Sequence, residues 1–122
     1  MNIDFDKIGL SVLPAFKGGE KEYRAKMYND SLNKIMKGCL IPGASIGLHT
    51  HTDGCEVMFF TAGCGTVICN GEKSEVRAGV CHYCPKGQSH TLINDSDSDL
   101  EFYAVVAVTF RQTSDGQQQP CS

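Results

Sequence analysis

Turn-forming residues divide this chain into short apolar runs, and that division restricts what the chain can fold into. Pro42-Gly43, Gly63-Cys64-Gly65 and Asn70-Gly71 are three of these breaks. They recur at intervals of roughly eight to twelve residues, a spacing typical of all-β sandwiches and barrels. Asn70-Gly71 is the strongest hairpin signal, because both residue types tolerate the positive φ of a tight turn. The spacing therefore predicts an all-β fold in a single domain.

The runs between the turns locate the expected strands. Extended segments are predicted near 44–50, 55–61, 66–69, 72–77, 89–93 and 100–110. Residues 20–28 fit either an extended segment or a short helix, and the run 32–41 alternates loosely. We therefore expect an N-terminal segment at 1–19 and a barrel at 20–110. A polar tail at 111–122 has almost no apolar residue to anchor it and is predicted to be flexible.

Three histidines and one glutamate are candidate metal ligands: His49, His51, Glu56 and His90. Imidazole nitrogen and carboxylate oxygen suit a first-row transition ion, because they match its intermediate hardness. Four protein ligands also leave coordination positions for water or substrate. A working site needs such positions and a structural site does not.

Spacing suggests how the first three of these residues could meet. If residues 44–51 are extended, His49 and His51 project from the same face of the strand. Gly54 then marks a turn, so a hairpin would place Glu56 beside the two histidines. His90 follows the turn signal Pro85-Lys-Gly87 at the head of another strand. Spacing alone does not say whether that strand lies near the others.

Both stretches resemble the two signature motifs of the cupin superfamily, and in particular its small single-domain, RmlC-like members. The first motif is glycine, five residues, His-x-His, three or four residues, glutamate, six residues and glycine. The second is glycine, five residues, Pro-x-Gly, two residues, histidine, three residues and asparagine. Every fixed position is filled, in order, by Gly43, His49, His51, Glu56 and Gly63, then by Gly79, Pro85, Gly87, His90 and Asn94.

The resemblance implies a fold and a metal. Cupins are antiparallel jelly-roll β-barrels, and such barrels can enclose a ligand cavity. Residues at the positions of His49, His51, Glu56 and His90 bind one divalent ion of Mn, Fe, Ni or Zn in the family. Many small cupins form homodimers, so we expect a homodimer here. Asn94 and the motif glycines and prolines are interpreted as turn and packing residues.

The reaction is not specified by the motifs, because the family includes enzymes of several classes and proteins that catalyse nothing. The favoured hypothesis is a metal-dependent enzyme of unassigned reaction, of the dioxygenase, decarboxylase, isomerase or lyase type, acting on a small polar molecule. The alternative is a non-catalytic cupin that binds or senses a small molecule. His82 and Tyr83 are weak catalytic candidates. For His82 the competing interpretation is a histidine hydrogen-bonded within the barrel wall.

Composition restricts the possible partners. A chain of 122 residues with 41% hydrophobic residues can build one core. A net charge of −3 does not indicate the excess of basic residues that binding to nucleic acid or an anionic membrane requires. The N-terminus lacks a signal-peptide pattern and no apolar run reaches membrane-span length, so we expect a cytoplasmic protein. No glycine loop suited to a phosphate-bearing cofactor is present.

Cysteines and lysines leave further alternatives open. Seven cysteines without a disulfide spacing pattern favour free thiols that pack as small apolar side chains. Cys81 and Cys84 form a C-x-x-C pattern, but residues three apart on a strand face opposite ways. Lys34 belongs to a set of basic residues (Arg24, Lys26, Lys34 and Lys37) that either includes an anchor for an anionic substrate or forms a solvated strand face.

Overall fold

The computed structural model describes residues 1–108, 110–112 and 118–120. Within these residues, helix is confined to two short 3₁₀ turns, Phe5–Lys7 and Phe16–Gly18. The strands, in chain order, are β1 (Ser11–Pro14), β2 (Glu22–Asn29), β3 (Asn33–Leu40), β4 (Ser45–Thr50), β5 (Gly54–Ala62), β6 (Cys64–Cys69), β7 (Glu72–Arg77), β8 (Cys81–Cys84), β9 (Ser89–Ile93), β10 (Leu100–Val108), β11 (Phe110–Gln112) and β12 (Gln118–Pro120).

Two antiparallel sheets form the body of the molecule. The larger has six strands in the order β1-β2-β3-β10-β5-β8, and the smaller has four in the order β4-β9-β6-β7. Buried side chains of both sheets share one core, among them Phe60 and Phe102 from the larger sheet and Val67 and Leu92 from the smaller. The prediction of an all-β antiparallel jelly roll is therefore confirmed, although strand pairing among the described residues does not close the two sheets into a continuous barrel.

The strand registers align inward-facing residues of the larger sheet in rows. Phe102 lies between Gly38 of β3 and Phe60 of β5. A Cβ atom on Gly38 would lie 2.6 Å from Cε2 of Phe102, so a larger residue there would displace the ring. Alternation along β5 buries Phe60 and exposes Phe59, as a half-buried strand requires.

The Asn-Gly turn joins β6 to β7 as predicted. Asn70 has a φ of 51° and Gly71 a φ of 82°. Positive φ at both central residues is the requirement of the tight hairpin turn. The extended alternative for residues 20–28 also holds, because that segment forms most of β2 and pairs with β3.

The expected hairpin between β4 and β5 is wrong. β4 pairs with β9, whereas β5 pairs with β10 and β8 in the other sheet. After β4 the chain is held by His51, whose N–H donates to the Gln88 carbonyl (3.2 Å) and whose carbonyl accepts from Gly87 N–H (2.6 Å). The turn signal at Gly54 therefore marks a crossing between sheets, as consecutive strands of a jelly roll often make.

The cysteine predictions hold in part. Six cysteines in the described residues are free thiols: Cys39, Cys55, Cys64, Cys69, Cys81 and Cys84. Cys81 is exposed and Cys84 buried, so the two thiols lie on opposite faces of β8 as predicted. The expectation of apolar packing is wrong for Cys64 and Cys81, because the strand positions of both face solvent. Cys121 lies outside the described residues.

The chain ends add two observations. Ser11–Pro14, inside the predicted N-terminal segment, pair with β2. β11 and β12 pair with each other. The flexible tail expected at 111–122 falls largely outside the described residues, and it stays a prediction together with the barrel bounds of 20–110. No helix in the described ranges is long and apolar enough to cross a membrane.

Candidate metal centre

Both sheets contribute to one cluster of nitrogen and oxygen atoms at the inner face of the jelly roll. His49 lies in β4 and His51 directly follows that strand. His90 lies in β9, opposite His49 in the register. Glu56 comes from β5 of the other sheet, at one of the buried positions of that alternating strand. The four ligands predicted from the sequence are thus brought together, and the pairing of β4 with β9 explains why His90 joins them.

The donor atoms are close enough to share one ion. Oε1 of Glu56 lies 2.8 Å from Nε2 of His90, 3.1 Å from Nε2 of His51 and 3.9 Å from Nε2 of His49. The Nε2 atoms of His51 and His90 are 3.0 Å apart. Ligands about 2.1 Å from a common ion in octahedral geometry are about 3.0 Å from their neighbours. The cluster can therefore hold a metal ion.

Burial and hydrogen bonding keep the glutamate charged. Glu56 is 6% exposed and His90 is 2% exposed. Burial alone would raise the pKa of Glu56, but hydrogen bonds from His49, His51 and His90 together lower it well below its ordinary value. A carboxylate that remains ionised among imidazole nitrogens is the protonation state that metal binding needs.

Two of the histidines are oriented by hydrogen bonds behind the cluster. Nδ1 of His49 donates to the Gly47 carbonyl at 2.7 Å, and Nε2 on the other side of the ring faces the cluster, 3.9 Å from Oε1 of Glu56. Nδ1 of His90 lies 2.9 Å from Nε2 of His82. Such contacts to the far ring nitrogen fix the tautomer and angle of a metal-binding imidazole.

The two weak catalytic candidates lie away from the open side of the cluster. His82 is half-buried behind His90, where burial, followed by the charge of His90, lowers its pKa. This matches the interpretation of His82 as a hydrogen-bonded residue of the barrel wall. Tyr83 is 56% exposed on the outer side of β8. Neither residue belongs to the described lining of the cavity that the ligands face, so we assign no catalytic role to either.

That cavity is small and mostly apolar. Its volume is about 170 Å³. Beside the four ligands and Thr50, it is lined by Phe16, Lys17, Tyr23, Lys34, Met36, Ile46, Met58, Leu92 and Val106. Lys34 belongs to the basic set for which the sequence left open an anchoring role or a solvated strand face, and the structure places it in the cavity lining.

Tyr23, Phe16 and Lys17 were not recognised from the sequence as cavity residues. Phe16 and Lys17 lie in the second 3₁₀ turn, whose backbone packs against Gly47 of β4. Tyr23 and Phe16 have ring centroids 5.2 Å apart. The alternation of buried residues along β2 would have indicated that Tyr23 faces inwards, once that segment was taken as a strand.

A jelly roll with three histidines and a glutamate at its inner face defines a class of small β proteins with a candidate metal centre. The profile of the cupin domain matches residues 36–106, which is more than half of the chain. The chain therefore belongs to the cupin family. The matched residues include all four candidate ligands and Lys34 lies just outside them.

Two similar proteins have descriptions that refer to oxalate. The chain is 37% identical over 67 residues to an oxalate-binding protein of Thermotoga maritima, and the match covers 55% of each sequence. It thus spans about half the length of that curated relative. A crystal structure described as a predicted oxalate decarboxylase, also from T. maritima, superposes with a TM-score of 0.83 at 26% identity, covering 89% of this chain and 100% of the other.

More distant structures support the fold alone. A sugar phosphate isomerase of the cupin superfamily from Silicibacter pomeroyi has a TM-score of 0.70 at 21% identity, covering 98% of this chain and 92% of the other. The cupin domain of Cnp3 from Schizosaccharomyces pombe has a TM-score of 0.72 at 10% identity, with 89% and 74% covered.

Proposed function

We propose that this chain binds one divalent transition-metal ion (Mn, Fe, Ni or Zn) through His49, His51, Glu56 and His90, and that it uses this ion to bind a small dicarboxylate such as oxalate. One observation carries the proposal. Three imidazole nitrogens and one ionised carboxylate converge at the wall of a cavity of about 170 Å³. This volume is below the range of about 300–1,000 Å³ typical of sites for drug-sized ligands, so it suits a molecule of few atoms.

The residues of the site each have a task in this proposal. A bound divalent ion supplies positive charge and open positions for the oxygen atoms of a ligand. Glu56 contributes a negative charge, because its lowered pKa keeps the carboxylate ionised and able to bind the ion. The Gly47 carbonyl holds His49 with Nε2 towards the cavity. Apolar walls such as Met58 and Leu92 exclude water, and this strengthens charge interactions inside.

Oxalate is the first ligand to test because of the relatives. One is named an oxalate-binding protein and the other a predicted oxalate decarboxylase. The curated match covers only about half of each sequence, so the ligand is a proposal for this chain. Oxalate has six non-hydrogen atoms, which agrees with the room in the cavity.

Catalysis is the second candidate, and one observation favours it. The cavity contains titratable groups besides the four ligands, namely Tyr23, Lys17 and Lys34, and an enzyme needs such groups for proton transfer. Decarboxylation of oxalate to formate must also deliver a proton to carbon. Among the described lining residues Glu56 is the single carboxyl group, and its low pKa makes it a poor acid. Binding without turnover therefore stands first.

The experiment uses the untagged protein purified without added metal. Its metal content is measured by elemental analysis, and calorimetric titration with oxalate follows, before and after removal of the ion by a chelator. We expect near one equivalent of metal and oxalate binding that disappears with the metal. Proton NMR of the same mixtures detects formate if the enzyme alternative is right. Oxalate binding that survives complete metal removal would contradict the proposal.

A homodimer is a further part of this proposal. The outer face of the larger sheet exposes three aromatic residues, Phe59 at 52%, Tyr83 at 56% and Tyr103 at 37%. Tyr103 and Phe59 are register partners on β10 and β5, so the apolar surface is contiguous. Light scattering after size exclusion should give twice the chain mass of 13.2 kDa, and a single 13.2 kDa species would contradict it. The cytoplasmic location and the RmlC-like subclass stay predictions.

A further inference from the structure

One lysine lies on the inward face of the larger sheet, on the same row as the glutamate of the metal cluster. In the register, Lys34 of β3 pairs with Val106 of β10, and Val106 pairs with Glu56 of β5. Residues opposite each other on neighbouring strands share a face. Two strand spacings separate the backbones of Lys34 and Glu56 by about 10 Å. The two side chains therefore line the same cavity from positions on either side of Val106.

Lys34 has no ion-pair partner in the described part of the chain. Among the described residues no carboxylate lies within ion-pair distance of its ammonium group, because the ion pairs of this part of the chain involve Glu22 and Glu56 with other partners. Its neighbours in the cavity lining are chiefly apolar, and Met36 follows two residues later on the same inward face. A partly buried lysine with no ion-pair partner in the described residues favours a site for an anion.

A second donor in the cavity is nearly unsatisfied. Tyr23 is 1% exposed, and its hydroxyl has a single described partner, the thioether sulfur of Met36 at 3.4 Å. Sulfur is a weak acceptor, so the hydroxyl is available to a stronger one. Burial, together with the negative charge of Glu56, raises the pKa of Tyr23 and keeps it protonated as a donor. A ligand oxygen in the cavity would give this buried group the partner that it lacks.

We propose that Lys34 and Tyr23 form a subsite for the ligand oxygens turned away from His49, His51, Glu56 and His90, and that this subsite selects short dicarboxylates over monocarboxylates and neutral molecules. The inference rests on the proposed function, because it assumes that the ligand approaches the four-residue cluster. A dianion has oxygens for both sides of the cavity. A monocarboxylate such as formate engages one side and leaves the Lys34 ammonium group unpaired.

Lys17 is the other cation in the cavity lining, and we assign it a smaller part. Its side chain is exposed, and Nζ lies 5.5 Å from the centroid of the adjacent Phe16 ring. Water screens an exposed charge more strongly than a half-buried one. Lys17 should therefore contribute less to the affinity for an anion than Lys34 does.

The test compares Lys34→Met with Lys37→Met in metal-loaded protein. Methionine keeps much of the length and apolar stem of lysine and removes the charge. Lys37 lies on the same strand but is exposed on its outer face, so it is a matched control for charge and strand position. Each variant is checked for metal content by elemental analysis and for folding by thermal unfolding. Calorimetry then gives the Kd of oxalate, malonate and formate.

We expect Lys34→Met to raise the Kd of oxalate at least tenfold with unchanged metal content. The Kd of Lys37→Met should stay within twofold of the wild-type value. Tyr23→Phe should raise the Kd of oxalate severalfold, and Lys34→Arg should retain more affinity for oxalate than Lys34→Met. Wild-type affinity for oxalate in Lys34→Met would overturn the subsite and leave the proposed function intact. A wild-type protein that binds metal but no dicarboxylate would overturn both.

If the variants fold poorly, the affinities of the wild-type protein for oxalate and formate still test the subsite. The subsite predicts that the unmodified protein binds oxalate at least tenfold more tightly than formate. Equal affinity for the dianion and the monoanion would overturn it, whatever the variants do.

Discussion

Removing the imidazole of His82 should weaken metal binding without removing a metal ligand. Nε2 of His82 lies 2.9 Å from Nδ1 of His90, and this is the hydrogen bond that orients the most buried histidine of the cluster. Loss of such a contact behind a metal ligand typically costs about 10- to 100-fold in metal affinity. At about 1.4 kcal/mol for each factor of ten, the range is roughly 1.4–2.8 kcal/mol. A net hydrogen bond accounts for about 1 kcal/mol of it, and lost orientation of His90 for the rest.

The assay is a competition titration of Zn²⁺ between the protein and a chromophoric chelator. His82→Ala should bind at least tenfold more weakly than the wild type. His82→Gln keeps an amide oxygen that can accept from Nδ1 of His90, so it should recover part of the loss. Tyr83→Ala is the matched control, because the adjacent side chain points outwards and is exposed. It should leave the Kd within twofold.

Two measurements distinguish a changed orientation of His90 from a loss of folding. Thermal unfolding of the metal-free variants shows whether His82→Ala merely destabilises the fold. The visible spectrum of bound Co²⁺ reports the ligand geometry, and a changed orientation of His90 should alter it in His82→Ala only. If His82→Ala binds Zn²⁺ as tightly as the wild type while the spectrum is unchanged, the argument that His82 positions His90 is refuted.

Three further predictions concern stability and reactivity. Asn94→Ala should lower the free energy of unfolding by about 3 kcal/mol and the Tm by roughly 10 °C in calorimetry, because the buried amide makes four hydrogen bonds, one of them to the Leu40 carbonyl; an unchanged Tm would contradict this. Iodoacetamide at pH 8 should label exposed Cys81 well before Cys84 in peptide mass mapping, since burial, followed by the neighbouring thiol of Cys69, raises the pKa of Cys84 to about 12; equal rates would refute the difference. Chelation of the metal should lower the Tm, by an amount equivalent to about 2.7 kcal/mol when the free ion was at 100 times its Kd; a Tm insensitive to chelator would show that no bound ion stabilises the fold.

Much of the fold was predictable because its signals are local. Asn70-Gly71 permits only a narrow set of turns, and the structure has positive φ at both residues. Alternation within the run 55–61 indicates that Phe59 and Phe60 face opposite ways, and the structure exposes Phe59 and buries Phe60. The crossing at Gly54 was not predictable in this way, because a turn residue does not reveal whether the next strand pairs with the previous one or enters the opposite sheet.

The candidate site shows the same division between local and distant information. The ligands His49 and His51 are two residues apart, and spacing alone places them together. The approach of His90 depends on the pairing of β4 with β9, which joins residues 39 to 48 positions apart in the chain. The cavity role of Lys34 depends on a register across three strands. Such contacts follow from the whole topology, so the sequence alone left Lys34 among several equivalent basic residues.

The central claim is that the four converging side chains bind a metal ion, and elemental analysis tests it most directly. The wild type and a His51→Ala/His90→Ala double variant are purified without added metal, dialysed against a chelator and then given one equivalent of Zn²⁺. Thermal unfolding confirms that both proteins are folded before the metal is counted. The account predicts near one ion per wild-type chain and a large loss in the double variant. Equal metal content in both proteins would contradict the ligand assignment, and a folded wild type that takes up no ion would contradict the metal centre itself.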